Sequence, residues 1–161
     1  MAALSDSKLN ALYHYWKSKC GEAVAPLRSA IRPTEIPALL RIINILDVTR
    51  DPLGFRHKLV GMEWIDRMGR DVTGQAVDAI LYGDAAEEIL ASLKTIVTEK
   101  KPYRRFARLD WKNAQWLTLE STELPLLDAD GEVVSILRGC AFSMTQSANA
   151  PRLQFDAITA A

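Results

Sequence analysis

Cysteine and histidine are scarce in this chain, and neither sign of charge prevails. The two cysteines, Cys20 and Cys140, lie far apart and form no C-x-x-C pair. That excludes the thiolate zinc pattern and leaves no disulfide framework to read from spacing. Two free thiols in a reducing compartment are the expectation. His14 and His57 are the only histidines, too few for a His-based metal site. Lys and Arg number 20, as do Asp and Glu, so formal charge is zero. Without a basic excess to neutralise phosphates, nucleic acid is not expected as the main partner. No apolar run approaches the ~20 residues of a membrane-spanning helix. The start of the sequence has no basic stretch leading into an apolar one. A cytoplasmic protein with no membrane partner is therefore expected. H-E-x-x-H, G-x-S-x-G and the P-loop pattern are all absent, and no enzyme is expected.

What is present is an ordinary folding composition. The 161 residues are 48% hydrophobic and 25% charged, which argues for one domain. A chain of this size buries roughly 70% of its unfolded surface and needs no metal or disulfide to fold. Ser5 is a candidate helix cap, with Asp6 in the first turn. Leu9, Leu12, Tyr13 and Trp16 then fall at i, i+3, i+4 and i+7, the stripe of an amphipathic helix over about 5–20. Segments 41–49 and 55–62 read as a first hairpin around Asp51-Pro52-Leu53-Gly54. Gly69, Gly74 and Gly83 punctuate single helical turns. Asp84 and Glu87 are spaced as a capping box for a long helix that buries Ala86, Ile89, Leu90, Leu93, Ile96 and Val97 and ends at Lys100-Lys101-Pro102. Strands follow at 103–111, 116–127 and 133–142, the last two joined by Asp128-Ala129-Asp130-Gly131. Asx hydrogen bonding and a glycine with positive φ suit that turn. The expected fold is α+β: five antiparallel strands with helices on one face, plus the N-terminal amphipathic helix. Residues 1–148 form the domain and 149–161 a tail, docked in part through Leu153, Phe155 and Ile158.

This order resembles the PAS domain, and most closely the stand-alone PAS-like family common in alphaproteobacteria. The resemblance rests on Tyr15-Trp16, Pro26, Arg32-Pro33 with Glu35-Ile36, Leu39-Leu40 and Asp47. It continues through Phe55-Arg56-His57-Lys58-Leu59-Val60-Gly61, Gly69-Arg70-Asp71 with Thr73-Gly74, and Pro125-Leu126 with Asp128 and Asp130-Gly131, covering about 12–148. It implies a sensory or interaction module, in some members holding haem, flavin or a small metabolite between sheet and helices. The sequence lacks Asn-Cys-Arg after the second strand, and its long helix carries no histidine, departures from the flavin-adduct and haem types. It assigns no cofactor. Any output is expected through a separate protein.

Candidate ligand contacts are His57, Trp64, Tyr82, Tyr103, Trp111 and Trp116. The residues themselves leave His57 between a packed, hydrogen-bonded histidine and a pH-sensitive contact. Leu9, Leu12, Tyr13 and Trp16 either cover the domain's own sheet or meet the same helix of a second copy. Lys100, Lys101, Arg104, Arg105 and Arg108 form one basic cluster, divided by strand alternation: Arg104 and Arg108 on one side, Arg105 on the other. A solvated terminus is favoured there over an anion site. Two alternatives to a ligand-binding sensor stand: a ligand-free structural or dimerisation module, and a small α+β cone-like enzyme using His57 with Asp47.

Overall fold

The computed structural model describes residues 3–109, 117–144 and 153–159. Four helices lie among them: α1 (Ser7–Lys19), α2 (Met62–Met68), α3 (Ala79–Tyr82) and α4 (Ala86–Glu99). The strands are β1 (Ile43–Thr49), β2 (Gly54–Leu59), β3 (Tyr103–Arg108), β4 (Leu117–Leu127), β5 (Val133–Met144) and β6 (Leu153–Ala157). They form one antiparallel sheet in the order β2-β1-β5-β4-β3-β6.

Five of these strands match the sequence reading, and β6 is added to them. It falls in the segment expected as a tail, and pairs Phe155 with Arg105 and Leu153 with Ala107 of β3. Leu153-Gln154-Phe155-Asp156-Ala157 alternates apolar and polar residues, and so offers β3 one greasy side. The Phe155 ring stacks on Tyr103 with centroids 4.4 Å apart. The Arg105 guanidinium lies 5.3 Å from the Phe155 ring centroid and is buried, while Phe155 itself is half-buried.

Register divides the sheet into two faces. Arg138 sits opposite Glu123, and Glu123 opposite Tyr103, so these three share one side. Gly139, one residue along from Arg138, sits opposite Thr122 and Ile43 and belongs to the other. Helix α1 lies on the Gly139 side. A Cβ at Gly139 would stand 2.7 Å from Leu12 Cδ2 and 2.9 Å from Leu9 Cδ2, so any larger residue would push both leucine side chains aside. Leu9, Leu12, Tyr13 and Trp16 are all buried there, each contributing about 2 kcal/mol of hydrophobic stabilisation. Trp16 Nε1 donates to the Pro125 carbonyl at 2.9 Å. Of the two roles open to this stripe, covering the chain's own sheet is the one observed. Helices α2, α3 and α4 lie on the Arg138 side. Helices α2, α3 and α4 thus share one face, as expected, and the N-terminal helix covers the other, because the α1 stripe needs an apolar surface and the Gly139 side supplies it.

Local chemistry explains the element ends. Asp6 caps α1, accepting from Lys8 N at 2.8 Å and Leu9 N at 3.0 Å. Ser5, expected in that role, instead donates through N and Oγ to Glu120 of β4. The Asp84 capping box does not form. Residues 83–85 make a tight turn running straight into α4, and the Gly83 carbonyl takes the N–H of Ala86 in place of a side-chain cap. The 128–131 turn follows the sequence reading: Asp128 Oδ1 accepts from Asp130 N at 2.9 Å and Glu132 N at 3.0 Å, and Gly131 has φ +79°.

Candidate functional site

A cavity of about 340 Å³ lies between α2, α3, the start of α4 and the inner face of β3, β4 and β5. Trp64 and Met68 of α2, Tyr82 of α3 and Ile89 of α4 form its roof. Ala107, Leu119 and Leu153 supply the apolar floor, and Arg105, Ser121 and Arg138 the polar part. Gly83, Asp84 and Glu88 mark an exposed mouth. The volume is that of a small-molecule site, and a mostly apolar lining with a few convergent polar groups is what such sites share.

The polar wall is an ion cluster shared by three strands. Arg138 Nε donates to both oxygens of Glu123 at 2.9 Å. Arg105 Nε reaches Glu123 Oε1 at 3.3 Å, and its Nη2 donates to Ser92 of α4. Ser121 Oγ donates to Glu123 Oε1 at 2.9 Å. All three ionic groups are buried. Burial alone drives a carboxyl toward its neutral form, but Arg138 and Arg105 overcome it and hold Glu123 below the usual carboxylate range. Desolvation depresses Arg105, whereas Glu123 outweighs desolvation at Arg138 and raises it. Both guanidiniums stay charged, since arginine ordinarily titrates far above neutrality.

His57 stands behind the roof, against Tyr82. His57 Nε2 and Tyr82 OH are 2.8 Å apart, and His57 Nδ1 is buried without a hydrogen-bond partner. Burial, helped by the positive charge of Arg138, lowers His57 to about 4. Its ring is therefore neutral near neutral pH. Burial pushes Tyr82 up to about 12. On the same side Asn44 Oδ1 accepts from Gly61 N at 2.7 Å, pinning the start of α2 to β1. Cys140, also on this face, is pushed up to about 12 by burial and stays a thiol.

Trp64 and Tyr82, expected at the site, line the cavity, and His57 supports it from behind. Tyr103 faces the same side of the sheet but is engaged elsewhere, donating to Glu99 at the end of α4 and stacking on Phe155. Trp111 and Trp116 lie outside the described residues. Arg104 and Arg105 part as alternation requires, but Arg108, expected on the side of Arg104, borders the same cavity as Arg105. Arg104 pairs with Glu120 beside α1 at 2.6 Å, while Arg105 enters the cavity wall. The reading of Arg105 as part of a solvated terminus is corrected, because its strand lies between β4 and β6 and its side chain is buried. Sequence reasoning passed over Glu123, Arg138 and Ser121. A sign of them was available: a charge set among Leu119, Leu124 and Leu126, or between Leu137 and Cys140, must find a partner on a strand buried along its length. His57 and Asp47 do not converge. Asp47 pairs with Ser135 on the α1 side of the sheet, accepting from its Oγ at 3.2 Å.

Among the described residues no His, Cys, Asp and Glu cluster could hold a metal ion, and no helix is long and apolar enough to cross a membrane. Cys20 and Cys140 are buried free thiols. No curated protein and no solved structure matches the chain. The family model described as PAS domain matches residues 4–141, from the lead into α1 to the middle of β5. With the antiparallel sheet, the helices packed on it and the cavity between them, the match shows that this chain belongs to the PAS domain family.

Proposed function

We propose that this PAS domain is a non-catalytic sensory or regulatory module that takes a small molecule into the cavity under α2–α4 and signals to a separate output protein. The observation that carries the reading is the cavity itself. A domain with only a scaffolding role gains by filling its interior, since every unfilled methyl-sized space costs about 1 kcal/mol. Here Trp64, Met68, Tyr82 and Ile89 surround open volume instead. The mechanism is a population shift. The short helix α3 and the 83–85 turn stand at the mouth, and a ligand that binds better when they are closed favours that arrangement.

The reading is tested by native mass spectrometry of protein purified from its own cells, beside a thermal-shift screen against metabolites. A bound species or a saturable shift is expected, and Leu119→Trp, which fills the floor, should remove it. If nothing co-purifies and no compound shifts the transition, the module is a ligand-free scaffold.

A further inference from the structure

We infer that the cavity takes a small organic monoanion, an aliphatic or aromatic carboxylate whose head meets Arg138 and Arg105 and whose body lies against Trp64, Met68, Ile89 and Leu119. The inference rests on the ligand-binding reading and narrows it to a chemical class.

The argument begins with charge. The deep wall holds two guanidiniums and one carboxylate, Arg105, Arg138 and Glu123, all buried. The other titratable groups on that wall do not offset the difference. Tyr82 and Cys140 are held protonated by burial, and His57 is neutral. Among the described residues one positive charge on this wall is left without a buried counter-charge, an arrangement that costs several kcal/mol unless something answers it. Arg138 spends Nε on Glu123 and lines the cavity. A planar carboxylate would meet the rest of its guanidinium in the fork geometry these groups favour. Its arrival brings the wall to two charges of each sign.

The mouth limits the ligand further. Asp84 and Glu88 are exposed there, with Arg108 half-buried nearby. Water and salt screen these acids from the deep wall, so they do not neutralise it. They oppose a second negative charge near the entrance and disfavour di- and trianions. The apolar floor and the Trp64 indole reward a hydrocarbon body, which inorganic anions lack.

The test is isothermal titration of the full chain with hexanoate, benzoate and phenylacetate, each against its neutral amide. At least one carboxylate should bind about tenfold or more tighter than its amide, the value of one charge-assisted hydrogen bond. Glu123→Gln, which removes the competing carboxylate, should tighten the acid severalfold and leave the amide unchanged. Leu119→Trp should abolish binding of both, and remains informative if Glu123→Gln fails to fold. Equal binding of acid and amide overturns the anion class, as does a weaker acid in Glu123→Gln. Should no panel member bind, native mass spectrometry decides: a co-purifying acid of another skeleton supports the class, and a neutral or cationic compound overturns it while sparing the ligand-binding reading. No bound species at all overturns both.

Discussion

The two faces of one sheet handle buried charge differently. On the α1 side Glu120 meets a single arginine, Arg104, and its remaining capacity is taken by Ser5 Oγ and the backbone N–H groups of Ser5 and Asp6. Charge balances there, one carboxylate against one guanidinium. On the other side Glu123 is outnumbered by Arg105 and Arg138, next to open volume. Strands β3 and β4 contribute to both clusters, and β5 adds Arg138 to the second. What differs is the cover: a helix laid flat with its stripe matched to a glycine, against three helices that roof a gap. Charge is matched under α1 and unmatched beside the cavity, the kind of setting in which functional sites cluster.

The largest expected effect contrasts the tryptophans of the two sides. Trp16→Ala should cost about 4 kcal/mol, through lost burial and an orphaned Pro125 carbonyl. Trp64→Ala should cost clearly less, because one side of that indole already faces the cavity. Urea denaturation of the two variants measures this, and equal losses would break the contrast.

Next comes acid sensitivity on the cavity side. His57 titrates near 6.5 when unfolded and at about 4 when folded. The unfolded chain therefore binds the proton first. Stability is at its full value above pH 6.5 and falls as pH drops toward 4, by roughly 3 kcal/mol at most. Urea midpoints between pH 7 and 4.5 should show the slope, and His57→Phe should flatten it.

On the α1 side the acid response lies lower. Burial opposes ionisation of Glu120, but Ser5, the Asp6 N–H and Arg104 hold it below its ordinary value of 4.5. Its contribution is present above that value and is lost as pH falls through the lower folded one. Glu120→Ala should cost about 2 kcal/mol at pH 7 and release the start of α1, seen as faster amide exchange at Lys8 and Leu9. Unchanged exchange there would remove Glu120 from its anchoring role. The smallest effect is at the cap: Asp6→Ala should lower stability by about 1 kcal/mol at neutral pH, read as a small drop in the thermal midpoint.

Much of the architecture was legible because it is local. The α1 stripe, the 128–131 turn and the strands around it are each written within a few consecutive residues. β6 was harder to read. Its five residues alternate correctly, but they gain a fold only by pairing with β3, some fifty positions earlier. The Asp84 cap failed for a related reason, since a neighbouring turn supplied the hydrogen bond that the side chain had been expected to make. At the site, the aromatic residues were nameable from composition, whereas the ionic wall needed register. Glu123, Arg105 and Arg138 lie on three strands, and only their alignment opposite one another brings them together.

Gly139 carries a mechanical consequence. It follows Arg138 directly in β5, so the residue beneath α1 and the residue in the cavity wall share a peptide bond. A side chain at a helix–sheet contact can turn to a new rotamer and absorb a small displacement; bare backbone has no such slack. Leu9 and Leu12 rest on that bare backbone, so at this contact only the two leucine side chains can yield to a tilt of the strand.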